Sequence, residues 1–217
     1  MKSLQHKDQR VAVFLDVQNL YYSAKHLFSA KVNYREILRS AVAGRCLIRA
    51  IAYAITADMK DEHLFHEALE KIGIEVKAKE VQVFYGGAKK GDWDIGIAMD
   101  AVRIEPKVDT VVLVSGDGDF KDLLSYLKGH GCRVEVMAFG QTTSRFLKED
   151  ADDFFDLSKH PKFLLGQRRT APRSYTGPPR TAAPTTTHTV PRETTKEPKK
   201  KEVVEALDVP TLNILDE

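Results

Sequence analysis

The stretch that most constrains the fold runs from Asp109 to Leu124, DTVVLVSGDGDFKDLL. Val111–Val114 is a short, β-branched apolar run, which is the pattern of a strand buried on both faces. The chain then passes abruptly into SGDGD, residues 115–119, and apolar residues recur at helical spacing from Phe120 onward. A buried strand followed at once by a helix predicts an open α/β sheet, in which ligands bind at the carboxyl ends of the strands.

The two carboxylates of this loop, Asp117 and Asp119, have two explanations. Asp is among the best N-cap residues, so either side chain is accounted for as the cap of the following helix. Carboxylates at the carboxyl edge of a sheet are also well placed to hold a cation. The second explanation gains weight if other strands end in acidic residues.

Another apolar strand does end in this way. Val11–Leu15 is followed directly by Asp16, and Asn19 comes three residues later as a helix begins. If this strand lies beside Val111–Val114 at the point where the strand order reverses, Asp16 and Asp117 face one crevice.

A further carboxylate, Asp94, opens a helix just after the basic, glycine-rich loop Gly86–Gly91. Asp100 lies six residues further along that helix and is expected to point to a different face. Carboxylates that converge repel one another, and a hard divalent cation such as Mg²⁺ or Mn²⁺ relieves that repulsion. The residues alone therefore predict a metal-dependent site for phosphoryl transfer, with the capping explanation still open.

Strands alternate with helices along most of the chain, which predicts a mainly parallel sheet between two helical layers. We expect a lead at residues 1–9 and one α/β domain at residues 10–165. Longer strands are predicted over 45–55 and 75–85. The only cysteines, Cys46 and Cys132, are expected to be buried thiols of a reducing compartment.

The C-terminal part differs in composition. Residues 166–201 contain nine Lys or Arg against two Glu, a net charge of +7, together with six of the nine prolines. This predicts a disordered basic tail over 166–202, either a solubilising linker or an arm that contacts RNA. Apolar residues return over 203–217, which we interpret as a short docking segment for a protein partner.

Nothing in the sequence indicates a membrane protein. No apolar run approaches the roughly 20 residues of a membrane span, and the N-terminus lacks the apolar core of a secretory signal. We therefore expect a cytoplasmic protein with no membrane partner; self-association into a homo-oligomer stays open.

The motifs FLDVQNLYYSAK, KKGDWDIGIAMDAV and VVLVSGDGDFKDLLSYLKGHGCRVEV, and more loosely SRFLKEDADDFFDL, resemble the LabA-like branch of the NYN family in the PIN-like nuclease superfamily. The resemblance covers nearly all of residues 10–158. It implies a PIN-like, Rossmannoid three-layer α/β sandwich and metal-dependent endoribonuclease activity. It also implies an acidic pocket, made here by Asp16, Asp94, Asp117 and Asp119 with Asn19 assisting.

Two functional hypotheses result. In the first, the protein cleaves RNA: Asp16, Asp94 and Asp117 hold Mg²⁺ or Mn²⁺, and Asp119 and Asn19 orient water or complete the metal site. Substrate contacts are then assigned to Lys89 and Lys90 on the phosphate backbone, to Ser115, and to Tyr21 or its neighbour Tyr22 on a base. The helical spacing of the two tyrosines favours instead a role in the core or on the surface of the helix. In the second, the domain is a catalytically weak or inactive module that binds RNA or protein on the same scaffold.

Overall fold

The computed structural model describes residues 6–56, 59–80, 82–83, 89–90 and 92–166, with the backbone alone at 56, 59–62, 82–83 and 89–90. The strands of these residues are β1 (Arg10–Asp16), β2 (Lys31–Val32), β3 (Cys46–Thr56), β4 (Glu75–Glu80), β5 (Gln82–Val83), β6 (Lys89–Lys90), β7 (Thr110–Val114), β8 (Arg133–Ala138), β9 (Asp153–Asp156) and β10 (Leu164–Leu165). The helices are α1 (Val17–Phe28), α2 (Tyr34–Val42), α3 (Met59–Glu70), α4 (Asp94–Ile104), α5 (Lys121–Gly129) and α6 (Arg145–Asp150).

The central sheet has six strands in the order β4-β3-β1-β7-β8-β9, and every neighbouring pair is parallel. The predicted, mainly parallel sheet is confirmed, and β1 and β7 are adjacent at its centre. The chain moves outward from β1 through β3 to β4, returns to β7, and then moves outward in the opposite direction. The strand order therefore reverses between β1 and β7, and such a switch point leaves a crevice at the carboxyl ends of the strands.

Two helical layers cover the sheet, which confirms the three-layer sandwich. Side chains of a strand alternate between faces, so Val11, Val13 and Leu15 of β1 pack on one side while Ala12 and Phe14 pack on the other. The first side is covered by α1, α2 and α3 through Leu20, Ile37 and Leu69. The second is covered by α4, α5 and α6 through Ile97, Leu124 and Leu147.

Two local predictions were wrong. The strand expected over 75–85 ends at Glu80, and Gln82–Val83 forms a separate strand that pairs antiparallel with Lys89–Lys90. Cys132 is buried as expected, but Cys46 is exposed. Cys46 is the first residue of β3 and pairs with Arg10, also exposed, so it lies at the rim of the sheet.

The predicted tail, apart from Gly166, and the predicted docking segment at 203–217 lie outside the described residues. Within the described part of the chain, no helix is both long enough and apolar enough to cross a membrane.

Candidate functional site

The site begins where β1 and β7 leave the sheet together. Their register places Leu15 opposite Val114, so Asp16 and Ser115 emerge side by side at the switch point. The Ser115 hydroxyl donates to one carboxylate oxygen of Asp16 at 3.0 Å. The other oxygen accepts the backbone N–H of Asn19, also at 3.0 Å, and this bond makes Asp16 the N-cap of α1.

Asp16 is thus held by the protein itself. Its side chain is only 8% exposed, and burial raises its pKa above the ordinary value, an effect opposed by the hydrogen bonds from Asn19 and Ser115. The nearby charge of Asp117 adds to the increase. Asp16 consequently serves as a capping residue and as an anchor for the neighbouring loop.

Three further hydrogen bonds hold the SGDGD loop, one to Asn19 of α1 and two within the loop itself. The side-chain carbonyl of Asn19 accepts the N–H of Gly116 at 2.9 Å. The Ser115 hydroxyl accepts the N–H of Asp117 at 3.2 Å, and the Asp117 carboxylate accepts the N–H of Asp119 at 3.0 Å. The last bond caps a short 3₁₀ turn at Gly118–Phe120, so the predicted capping role of Asp117 is real.

Gly116 and Gly118 are required by the close approach of the chain before α6. The N–H of Ser144 donates to the carbonyl of Gly116 at 3.0 Å. A Cβ added to Gly116 would lie 3.1 Å from the backbone of Thr143, and one added to Gly118 would lie 2.8 Å from the Ser144 hydroxyl. Larger side chains at either position would push the carboxylate-bearing loop away from this support.

Three carboxylates meet at the mouth of the crevice. Asp94, Asp117 and Asp119 each offer an oxygen atom, and these atoms all lie within 4.8 Å of one another. Asp94 is the first residue of α4, and its pKa is raised to about 6 by burial and by the charges of Asp117 and Asp16. Burial is the largest cause of this increase in pKa, and the neighbouring carboxylates add to it because like charges oppose the ionisation of a neighbour.

A pocket of about 280 Å³ adjoins the cluster. It is lined by Asp16, Gln18, Asn19, Tyr22, Ser23, Asp92, Trp93, Asp94 and Asp117. Asp16 therefore shares this pocket with Asp94 and Asp117, although it is not part of the three-carboxylate cluster.

Comparison with known proteins identifies the architecture. The family model of the NYN domain matches residues 10–158, which include every residue of the acidic cluster. The chain belongs to the NYN domain family. Among curated proteins it resembles the low amplitude and bright protein LabA of Synechococcus elongatus, with 26% identity over 76% of this chain and 93% of the relative. The match supports membership of the LabA-like branch.

A crystal structure of a Vibrio parahaemolyticus protein of unknown function shows the same fold as this NYN domain. The two are 34% identical with a TM-score of 0.68, and the match covers 75% of this chain and all of the other. The NYN domain implies a PIN-like nuclease fold, and the observed sheet order and acidic cluster agree with it.

The predicted substrate contacts fall into different places in the NYN domain. Tyr22 lines the pocket, whereas Tyr21 does not; Tyr21 packs edge-on against Tyr22, with the Lys25 ammonium 5.4 Å from its ring centre. Ser115 is fully buried and its hydroxyl is engaged twice, a placement that favours a structural role over contact with substrate. Lys89 and Lys90 lie in β6, where only the backbone is described, so their phosphate contacts stay predictions.

Trp93 is a pocket residue that the sequence reasoning did not select. Its indole N–H donates to the carbonyl of Ala54 at 2.7 Å, and its ring packs edge-on against Tyr53 with 5.2 Å between ring centres. The Lys79 ammonium lies 4.0 Å from the centre of the indole ring. A Cβ on Gly96 would come within 2.5 Å of the indole, so this glycine makes room for it. In the sequence, the position of Trp93 beside Asp94 could have indicated a pocket residue. No sequence feature indicated that Gln18 would line the pocket.

Asp100, which the helical spacing placed on another face, is engaged away from the cluster. It accepts hydrogen bonds from the Tyr53 hydroxyl at 2.8 Å and from Lys77 at 2.5 Å, and Arg103 lies 3.4 Å away. Burial acts to raise the pKa of Asp100, but the bonds from Lys77 and Tyr53 outweigh it and leave that pKa lowered. Asp100 therefore supports the packing of α4 on the sheet.

Proposed function

We propose that this chain is an endoribonuclease that hydrolyses RNA phosphodiester bonds with Mg²⁺ or Mn²⁺ held by Asp94, Asp117 and Asp119. One observation carries the proposal: three carboxylates converge within 4.8 Å at the switch point of a parallel sheet, where ligands of such folds bind. Membership of the NYN family supports the same conclusion, since the NYN domain implies a nuclease fold.

The donor set fits a hard divalent cation. All its members are carboxylate oxygens, the ligands that Mg²⁺ and Mn²⁺ prefer. Oxygens sharing one Mg²⁺ at about 2.1 Å lie within about 4.2 Å of each other, so a cluster spanning 4.8 Å needs only small side-chain rotations. Burial raises the pKa of Asp94 most, and the charges of Asp117 and Asp16 add to it, so a cation at the cluster would favour the ionised carboxylate.

The roles of the remaining residues follow from their contacts. Asp16 and Ser115 hold the ends of β1 and β7 together, and Asn19 holds Gly116, so that Asp117 and Asp119 stay in place. A metal ion in the cluster would activate a water molecule and stabilise charge on a phosphoryl oxygen. Lys89 and Lys90, next along the chain before Asp94, are proposed to contact the RNA backbone, because basic side chains supply most sequence-independent affinity.

The proposal extends to the organisation of the chain. Residues 10–165 would form the catalytic domain of a cytoplasmic enzyme, preceded by a short lead at 1–9. The basic segment 166–202 would act as an RNA-contacting arm, since its charge of +7 over residues 166–201 suits a polyanion. The segment 203–217 would be available to a protein partner. Removal of residues 166–217 should then weaken RNA binding and flatten its dependence on salt.

The decisive experiment is cleavage of an end-labelled single-stranded RNA by the purified full chain. We expect cleavage with Mn²⁺ or Mg²⁺, none with excess EDTA, and none by the Asp117→Asn variant. Asp122→Asn is the matched control, since Asp122 is an exposed carboxylate of the first turn of α5 that belongs to neither the cluster nor the pocket. Equal cleavage by the Asp117→Asn and Asp122→Asn proteins would refute the catalytic assignment.

A second function, that of a regulatory binding module, is favoured by one observation. The curated relative is named for low amplitude and brightness, and that name refers to no catalysed reaction. A binding module would retain RNA or protein binding in the Asp117→Asn variant and would show no metal-dependent cleavage in the wild type.

A further inference from the structure

The pocket extends beyond the carboxylate cluster in one direction. Asp94 and Asp117 belong to both, but Asp119 belongs to the cluster and does not line the pocket. Gln18 and Tyr22 line the pocket and are not part of the cluster. The cavity therefore leads from the metal-binding carboxylates toward the first turns of α1.

The walls of this extension are polar and aromatic. Gln18 and Tyr22 are four residues apart on α1, a spacing that puts both side chains in one row of the helix. Tyr22 is 38% exposed, so part of its ring is accessible from solvent. Trp93 supplies another wall, and its bond to Ala54 fixes the orientation of the indole.

Size and charge narrow the choice of occupant. A cavity of about 280 Å³ lies just below the range of about 300 to 1,000 Å³ that is typical of ligand sites, a size that suits a single nucleoside better than a base pair. Its lining includes the four carboxylates of Asp16, Asp92, Asp94 and Asp117. A phosphate entering this lining away from a cation would be repelled, whereas an uncharged nucleobase with hydrogen-bond donors would be accepted.

We infer that this pocket receives one unpaired nucleobase of the RNA, adjacent to the phosphate held at the carboxylate cluster. Tyr22 stacks on the base, and the Gln18 amide hydrogen-bonds to its edge, the two contacts by which proteins read splayed-out bases. The inference rests on the proposed function, since it places the base beside the bond to be cut. Gln18 and Tyr22 would thereby determine which nucleotides precede or follow the cleavage site.

The test uses the fluorescence of Trp93, the only tryptophan of the chain. The protein is the full chain carrying Asp119→Asn. Asp119 lies outside the pocket, and under the proposed function this change removes a metal ligand and abolishes cleavage. Two probes are compared, both in the presence of Mg²⁺. One is a single-stranded hexaribonucleotide, and the other is an oligonucleotide of the same length and backbone whose residues are abasic. Both carry equal phosphate charge, so binding to basic segments affects them alike. We expect the intact RNA to quench Trp93 and the abasic RNA to leave it unchanged.

Two variants sharpen the result. Tyr22→Ala should weaken binding of the intact RNA about 5- to 150-fold, which corresponds to the loss of one stacked base. Tyr126→Ala is the matched control, because Tyr126 is 40% exposed on α5, stacks on His130 and does not line the pocket. Gln18→Ala should reduce the affinity differences among four homopolymeric hexanucleotides.

The outcomes separate this inference from the proposed function. Base-dependent quenching without cleavage by the wild type would leave the base pocket standing and overturn the nuclease assignment. Cleavage by the wild type with equal quenching by intact and abasic RNA would overturn the base pocket alone. Equal effects of Tyr22→Ala and Tyr126→Ala would also overturn it.

Discussion

Replacing Asp94 by Asn removes a carboxylate whose charge the metal-free fold disfavours. Burial, followed by the charges of Asp117 and Asp16, raises the pKa of Asp94 to about 6 from the ordinary value of 3.8. The unfolded chain ionises near the ordinary value, so between these two pH values the folded state binds the extra proton. Stability therefore falls as the pH rises through this window, and above about pH 6 the whole penalty is present.

The size of the penalty follows from the two values. The difference between 3.8 and about 6 corresponds to about 3 kcal/mol at about 1.4 kcal/mol per pKa unit. Because Asp94 is only half-buried, solvent screening reduces this to about 1 to 2 kcal/mol. The Asp94→Asn protein should exceed the wild type by that free energy of unfolding at pH 7.5, or by roughly 3 to 6 °C in Tm. The advantage should shrink toward pH 4.

Urea unfolding followed by circular dichroism, in EDTA at pH 7.5, 6 and 4.5, measures this difference. Asp122→Asn controls for the loss of an exposed carboxylate and should show little change at any pH. Mn²⁺ should raise the Tm of the wild type and have little effect on the Asp94→Asn protein. The reasoning is refuted if Asp94→Asn is less stable than the wild type at pH 7.5, or if its advantage does not depend on pH.

Other predictions concern residues that hold the acidic loop and the sheet in place. Gly118→Ala should weaken Mn²⁺ binding severalfold in calorimetry without unfolding the protein, and adding Ser144→Gly should restore it, because the new Cβ would lie 2.8 Å from the Ser144 hydroxyl. Ser115→Ala should lower the free energy of unfolding by about 1 to 3 kcal/mol in urea, since it leaves a buried carboxylate oxygen and an N–H without their partner. Arg45→Met should also lower the free energy of unfolding in urea, because it removes the buried ion pair with Glu135 and leaves that carboxylate paired with Arg133 alone.

The sheet centre and its acidic edge were predictable from sequence for a physical reason. A strand buried on both faces has to be apolar throughout, which singled out Val11–Leu15 and Val111–Val114 and placed them together. Asp16 and Asp117 follow those runs directly, so their meeting at one edge needed no further information. Asp94 was recognisable because it opens a helix.

Other features depended on geometry that the sequence does not encode locally. Whether Tyr21 or Tyr22 faces the pocket is decided by a rotation of about 100° on α1, and adjacent residues carry no signal for that choice. Trp93 reaches the pocket only because Gly96 leaves space for its ring and Ala54, on β3, accepts its N–H. The Ser115 hydroxyl links β1 to β7 because the register of these strands places it beside the Asp16 carboxylate.

The same register explains why the four predicted carboxylates are not equivalent. Both oxygens of Asp16 accept hydrogen bonds from the protein, which partly offset the effect of its burial on its pKa. Asp94 has its pKa raised chiefly by burial and by neighbouring negative charges, and Asp119 is exposed at the mouth. The oxygens that converge within 4.8 Å belong to Asp94, Asp117 and Asp119, while Asp16 adds negative charge beside them. A change at Asp16 should act through the geometry of the loop, whereas a change at Asp94 should act on metal affinity itself.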